Sequence, residues 1–379
     1  MSSARRRALL WAGLAPWAAR HSTAPAGEAA RAALVFPRDH GSHPLSRIEW
    51  WYITGHARTG TVAQPADIGF QITFFRSRPD GTQTLKSRFA ARQIVFAHAA
   101  ITDLRSRRFW HDQRVARTGF GVAEASETDT DVRLRDWSLV HRDGIYQAMI
   151  QARDFSLEVA FTATQPVLLQ GDNGVSRKGP DAHQTSFYYS KPQLAFDGTI
   201  GVQGKTRRIL GTGGNSAKDG FVPGGGAAWL DHEWSDQFMH PLAVGWDWVG
   251  INLFDGSALT AFRLRDKNGA PLWDGGSFRD PRGASGRRPQ IFGRGETLFQ
   301  ALRTWKSAQT QATYPVEWQL QTPADHYVVR ALLDNQELDS RNSTGAVYWE
   351  GLCDLFGSDK RHVGRGYLEM TGYAKPLVL

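Results

Sequence analysis

Beyond residue 36 the apolar and polar positions alternate in short bursts instead of recurring at helical spacing. Residues 68–75, 93–101, 155–161 and 258–264 are brief, rich in aromatic and β-branched side chains, and roughly period-two. Such segments predict strands. Between them Pro79-Asp80-Gly81, Arg142-Asp143-Gly144, Asp197-Gly198, Asp255-Gly256 and Lys267-Asn268-Gly269 supply turn residues at the spacing of antiparallel hairpins. Long runs with apolar residues at every third or fourth position are missing. The pattern predicts an all-β protein. At 379 residues the chain is long for one core, so two domains are expected. Residues 211–226, with seven glycines and few apolar side chains, are the natural boundary or lid. That places one domain at 36–220 and a second at 221–379, with residues 275–288, rich in Gly, Arg and Pro, as a long exposed loop.

Composition alters this picture mainly at the N-terminus. Arg5-Arg6-Arg7 precede an apolar run over residues 8–19, too short to span a bilayer and shaped like the hydrophobic part of an export signal. The tandem arginines are similar to a twin-arginine signal. Residues 1–30 are therefore expected to be an export segment and linker, and the protein to be periplasmic or secreted. The net charge is +8, yet the arginines are scattered among acids. This speaks for solubility or attraction to an anionic membrane surface, with no nucleic-acid partner expected. The single cysteine, Cys353, forms no internal disulfide and reads as a small buried hydrophobe.

The chemistry concentrates in three clusters of acids among large aromatic rings: Arg47-Ile48-Glu49-Trp50-Trp51-Tyr52, Trp229-Leu230-Asp231-His232-Glu233-Trp234, and Gly245-Trp246-Asp247-Trp248. On a strand His232 and Trp234 share one face while Asp231 and Glu233 share the other. An acid or imidazole beside apolar rings has a shifted pKa, and ring faces can cover a cation. No Gly-x-Ser-x-Gly elbow, Walker loop, dinucleotide fingerprint or His-Glu-x-x-His helix occurs. No metal and no organic cofactor are therefore expected. Each cluster also has a structural reading: Glu49 can pair with Arg47 or Arg38, and His40 and His43 can hydrogen-bond loop backbone.

The opening run Phe36-Pro37-Arg38-Asp39-His40-Gly41-Ser42-His43-Pro44, followed by Arg47 to Tyr52 and Thr54-Gly55, resembles the signature of the carotenoid 1,2-hydratase (hydroxyneurosporene synthase) and AttH-like family. The resemblance continues through Phe187-Tyr188-Tyr189-Ser190, the second and third clusters, and Tyr367-Leu368-Glu369-Met370-Thr371-Gly372-Tyr373. It implies two lipocalin-like antiparallel β-barrels in tandem. The family it points to contains hydratases, AttH-like secreted hydrolases and, more distantly, fungal lipocalin-like cyclases.

Hydrating an isolated alkene needs a carboxylic acid strong enough to protonate carbon, a wall that tolerates the cation, and water. The residues expected to supply these are Asp231, His232 and Asp247 as the catalytic set. Trp234, Trp246, Trp248, Glu49, Trp51 and Tyr188 are expected to bind an apolar, isoprenoid- or carotenoid-like substrate. On a regular strand Asp247 faces away from Trp246 and Trp248, so that assignment requires a bulge. Two other functions stay open: a lipocalin-like lipid or isoprenoid carrier without catalysis, and a secreted hydrolase whose nucleophile is assembled from distant residues.

Overall fold

In the computed structural model, which describes residues 33–61, 64–209, 226–237, 239–281 and 288–377, strands dominate and the helical elements are two short 3-10 turns. Where one face meets solvent the burial alternates residue by residue, as in Ile145–Gln151 and Phe155–Thr162. The strands form two antiparallel sheets, both within the compact unit Leu34–Leu379.

The first sheet runs from Arg108–Arg117 at one end to Ala123–Ala125 at the other. Its ends curl together and nearly close a barrel, tied by Arg153 N–H to Asp112 (3.0 Å) and Arg114 Nη2 to the Gln151 carbonyl (3.1 Å). Inside, Phe70, Phe161 and Phe196 pack edge-on and tilted at 5.3–6.0 Å, beside fully buried Trp51 and Trp137. Each such side chain contributes roughly 2–3 kcal/mol by leaving water. The second sheet, from Gln290–Phe292 to Leu298–Lys306, encloses its own core around Tyr314, Trp318 and Trp349. The all-β expectation of two tandem antiparallel sheets holds.

Gly226–Ser235, Gly245–Leu253 and Ala346–Phe356 are buried at nearly every position instead of every second one. Both faces of these strands are covered, one by the strand's own core and the other by the opposite sheet. Gln193 pins this seam from a bulge in the long strand Thr185–Val202: its N–H reaches Asn252 Oδ1 (2.8 Å) and its Nε2 the carbonyls of Leu253 and Ser257. Gly69 sits where a Cβ would come within 2.7 Å of the Tyr367 hydroxyl, so close sheet contact requires its bare backbone.

Three sequence expectations shift. The expected second domain begins at residue 221, but Gly226–Ser235 pairs with Ile48–Thr61 and Thr185–Val202, so the chain changes sheets only between Ser235 and Gly245. Asp197-Gly198 is no turn and lies within Thr185–Val202; Gly198 is there because the neighbouring strand approaches so closely that a Cβ would meet the Glu158 carbonyl. Residues 275–279, expected in a loop, finish the strand Pro271–Arg279. The expected export segment at 1–30 and most of the Gly-rich stretch lie outside the described residues.

Candidate active site

Between the sheets lies a cavity of about 820 Å³. Strand register assembles its chemistry. On the first sheet Tyr52 stands opposite Asp231, and Trp50 opposite Glu233. On the second, Trp248, Glu369 and Glu350 form one cross-strand row. Alternation then turns Asp231 and Glu233 toward Glu369 and Glu350, with Trp50, Trp246 and Trp248 as walls.

The carboxyl groups occupy contrasting environments. Asp231 accepts hydrogen bonds from Ser190 Oγ (2.5 Å), Tyr188 Oη (2.7 Å) and Trp229 Nε1 (2.6 Å). Burial nevertheless pushes its pKa up to about 7, with Glu233 adding repulsion. Glu369 is raised to about 7 by the same desolvation and by the neighbouring acids, against one hydrogen bond from Trp246 Nε1 (3.1 Å). Glu350 is held well above the carboxylate range by burial and then by Glu369. Glu233 differs: Lys178 Nζ lies 2.9 Å away and Ser186 donates to it, so a counter-ion is built in. The cavity thus holds carboxyl groups that keep their protons far above the ordinary carboxylate range, Asp231 and Glu369 up to about neutrality and Glu350 beyond its ordinary range, among apolar walls.

Three residues of the expected site line this cavity: Asp231, Trp246 and Trp248. Tyr188 supports them, its hydroxyl bonding Asp231 and receiving Trp248 Nε1 (3.2 Å). His232, Glu49, Trp51 and Trp234 lie on the opposite, barrel-interior face. There Glu49, with no exposure, accepts from Arg76 Nε (2.7 Å) and Ser42 Oγ (3.1 Å) on Oε2, while His43 Nδ1 (2.7 Å) and His232 Nε2 (2.9 Å) meet Oε1. Burial alone would raise Glu49, but hydrogen bonds from both imidazoles and the Arg76 charge hold it far below the usual range. Desolvation lowers His232 despite Glu49, keeping it neutral. Trp51 stacks on His232 at 4.7 Å and Trp234 on His43 at 3.6 Å. His43, Glu49 and His232 offer ligand atoms within 4.8 Å of one another, the arrangement nearest to a metal site among the described residues. A cation there would have to displace both imidazole hydrogen bonds and face Arg76.

Asp247 also lies away from the cavity. Fully buried, it meets Arg263 Nε (2.7 Å), Arg265 Nε (3.0 Å) and Tyr373 Oη (2.9 Å), beneath the second sheet. The strand carries no bulge at this point, so the alternation that brings Trp246 and Trp248 to the cavity carries Asp247 the other way.

Sequence reasoning missed Glu350, Glu369 and Tyr348, and gave no role to Tyr52 or Glu233. A usable signal existed: Glu350 follows Tyr348-Trp349 and Glu369 sits between Leu368 and Met370, acids set directly among large apolar residues of strands.

Comparison with known proteins follows the same architecture. The AttH-like family model matches residues 28–373. A Nitrosomonas europaea crystal structure, named for AttH, is 43% identical, covering 90% of this chain and 98% of that one with a TM-score of 0.79. Kievitone hydratase from Nectria haematococca shares the fold at 13% identity (90% and 94% covered, TM-score 0.67). CghA does so at 12% (88% and 89% covered, TM-score 0.50). No curated protein sequence matches the chain. By the extent of the family match and the identity to the Nitrosomonas protein, this chain belongs to the AttH-like family.

Proposed function

We propose that the protein is a hydro-lyase that adds water to a carbon-carbon double bond of an isoprenoid-like apolar substrate by acid catalysis, a carotenoid being the substrate that the hydratase signature suggests. The carrying observation is the placement of Asp231, Glu369 and Glu350, three carboxyl groups whose titration is pushed up by burial, to about 7 for the first two, in one cavity walled by Trp50, Trp246 and Trp248. The kievitone hydratase fold supports the same reading.

In this scheme Asp231 or Glu369 donates its proton to one alkene carbon. Tryptophan faces cover the tertiary cation without attacking it. Water then closes the C–O bond and gives up a proton, and the acid is reprotonated from solvent. Tyr188, Ser190 and Trp229 stabilise the Asp231 carboxylate left after donation. His232 and Asp247 act through the fold, because neither reaches the cavity. A carrier without catalysis would have no use for burying unpaired acids, each of which costs stability at neutral pH.

The test supplies an acyclic carotene or shorter polyprenyl alkenes in detergent, with chelator present, to wild type, Asp231→Asn and Glu369→Gln. Both variants should bind the alkene while turnover falls about a hundred- to ten-thousand-fold for the residue that serves as the acid. Unchanged turnover in both removes these carboxyls from the mechanism.

A further inference from the structure

Among the described residues three buried polar atoms of cavity-lining side chains lack a hydrogen-bond partner: Arg76 Nη1, whose guanidinium is otherwise engaged by Glu49 and loop carbonyls, Tyr52 Oη, on the first sheet, and Glu350 Oε1, on the second. Tyr52 and Glu350 are 6% and 2% exposed and lie against one another across the seam, close enough that each shifts the other's titration but not aligned as a well-formed hydrogen bond. An unsatisfied pair of this kind is costly unless a small polar molecule bridges it.

Behind Glu350 runs a line of donors with one direction. Tyr348, two residues along the same strand, faces the Glu350 carboxyl. Its hydroxyl is 2.9 Å from His98 Nδ1; His98 Nε2 is 2.9 Å from Ser343 Oγ; Ser343 Oγ donates to Gln113 Oε1 at 2.6 Å. With Nδ1 accepting and Nε2–H donating, every hydrogen bond points outward. His98 is 1% exposed, whereas Ser343 is half-buried and reaches the surface.

Resting on the hydration reading above, we infer that Tyr52 and Glu350 hold the attacking water and that Tyr348, His98 and Ser343 carry its proton out. As water oxygen bonds the tertiary carbon, one water O–H bond breaks and its proton goes to Glu350 Oε1. The carboxyl's own proton passes to the Tyr348 oxygen, the phenol proton to His98 Nδ1, the Nε2 proton to Ser343, and the serine proton, once the hydroxyl turns from Gln113 Oε1, to solvent. One proton leaves, matching the one the acid regains. Burial holds His98 neutral, with its pKa lowered to about 3, as a two-sided relay requires.

The experiment uses citronellol in deuterated buffer as the alkene probe and counts two products: the tertiary alcohol, and recovered alkene carrying deuterium from a cation that lost a proton before water arrived. Tyr52→Phe and Tyr348→Phe should shift the ratio about tenfold toward deuterated alkene, while whichever of Asp231→Asn and Glu369→Gln removes the acid lowers both products together. Parallel loss of both products in the tyrosine variants overturns the inference and leaves the acid reading standing. Absence of label from both products in wild type overturns the two together. Independently of turnover, 3,7-dimethyloctane-1,7-diol should bind wild type about tenfold more tightly than citronellol, a preference that Tyr52→Phe removes. Equal affinities in wild type overturn the water subsite.

Discussion

Glu350, buried, and Glu369, half-buried, stand directly opposite each other on adjacent antiparallel strands, two acids paired across the face that meets the cavity. Directly opposed like charges destabilise a sheet. The pair is tolerated because burial, followed by repulsion from Glu369 on Glu350 and from Asp231, Glu233 and Asp247 on Glu369, raises both: Glu350 titrates well above its ordinary value and Glu369 at about 7.

The first prediction concerns stability. Glu350 keeps its proton when folded but loses it near 4.5 when unfolded, so the native state binds more protons and stability falls as pH rises above that value, by about 1.4 kcal/mol per unit. Glu350→Gln removes this penalty. Its melting temperature should exceed wild type by a margin that widens from pH 5 to pH 8. A margin independent of pH would mean that Glu350 is ionised in the folded protein.

Activity should also fall as pH rises, through the titration of the other two cavity acids. The acid must carry its proton, and Asp231 and Glu369 both titrate near 7. kcat/KM should therefore be flat below about pH 6 and fall up to tenfold per unit above 7. A rate that climbs from pH 7 to 9 would point to a base.

Asp247→Asn should act on the fold. It strips the buried charge facing Arg263 and Arg265, and breaking such a pair costs about 3–5 kcal/mol. Thermal unfolding should show the loss, whereas variant that remains folded should still bind apolar ligand. A catalytic defect at full stability would return Asp247 to the chemistry.

We also propose export. The tandem arginines and the apolar run over residues 8–19 predict a mature chain that starts beyond about residue 20. Mass spectrometry of protein from the native source checks this; an intact N-terminus on cytoplasmic material would contradict it.

The fold was legible because strand alternation and turn residues are local signals, as the turn at Arg142-Asp143-Gly144 illustrates: Asp143 and Gly144 adopt the positive φ it needs, at 52° and 80°. Asp197-Gly198 misled because a glycine required by close strand approach has the composition of a turn. Within the site, alternation separated Asp231 from His232 correctly. It could not say which face meets the other sheet, since that depends on pairing between residues 48–61 and 226–235, more than 160 positions apart. For the same reason Glu350 and Glu369, distant from every aromatic cluster near Asp231, escaped notice until both sheets were in place.

The most direct test supplies the alkene in ¹⁸O-labelled water at pH 6 and examines the product by mass spectrometry. The account predicts a tertiary alcohol carrying one labelled oxygen, formed by wild type and lost in the variant lacking the proton-donating carboxyl. Tight alkene binding by folded wild-type protein with no labelled alcohol would contradict it and establish a carrier in its place.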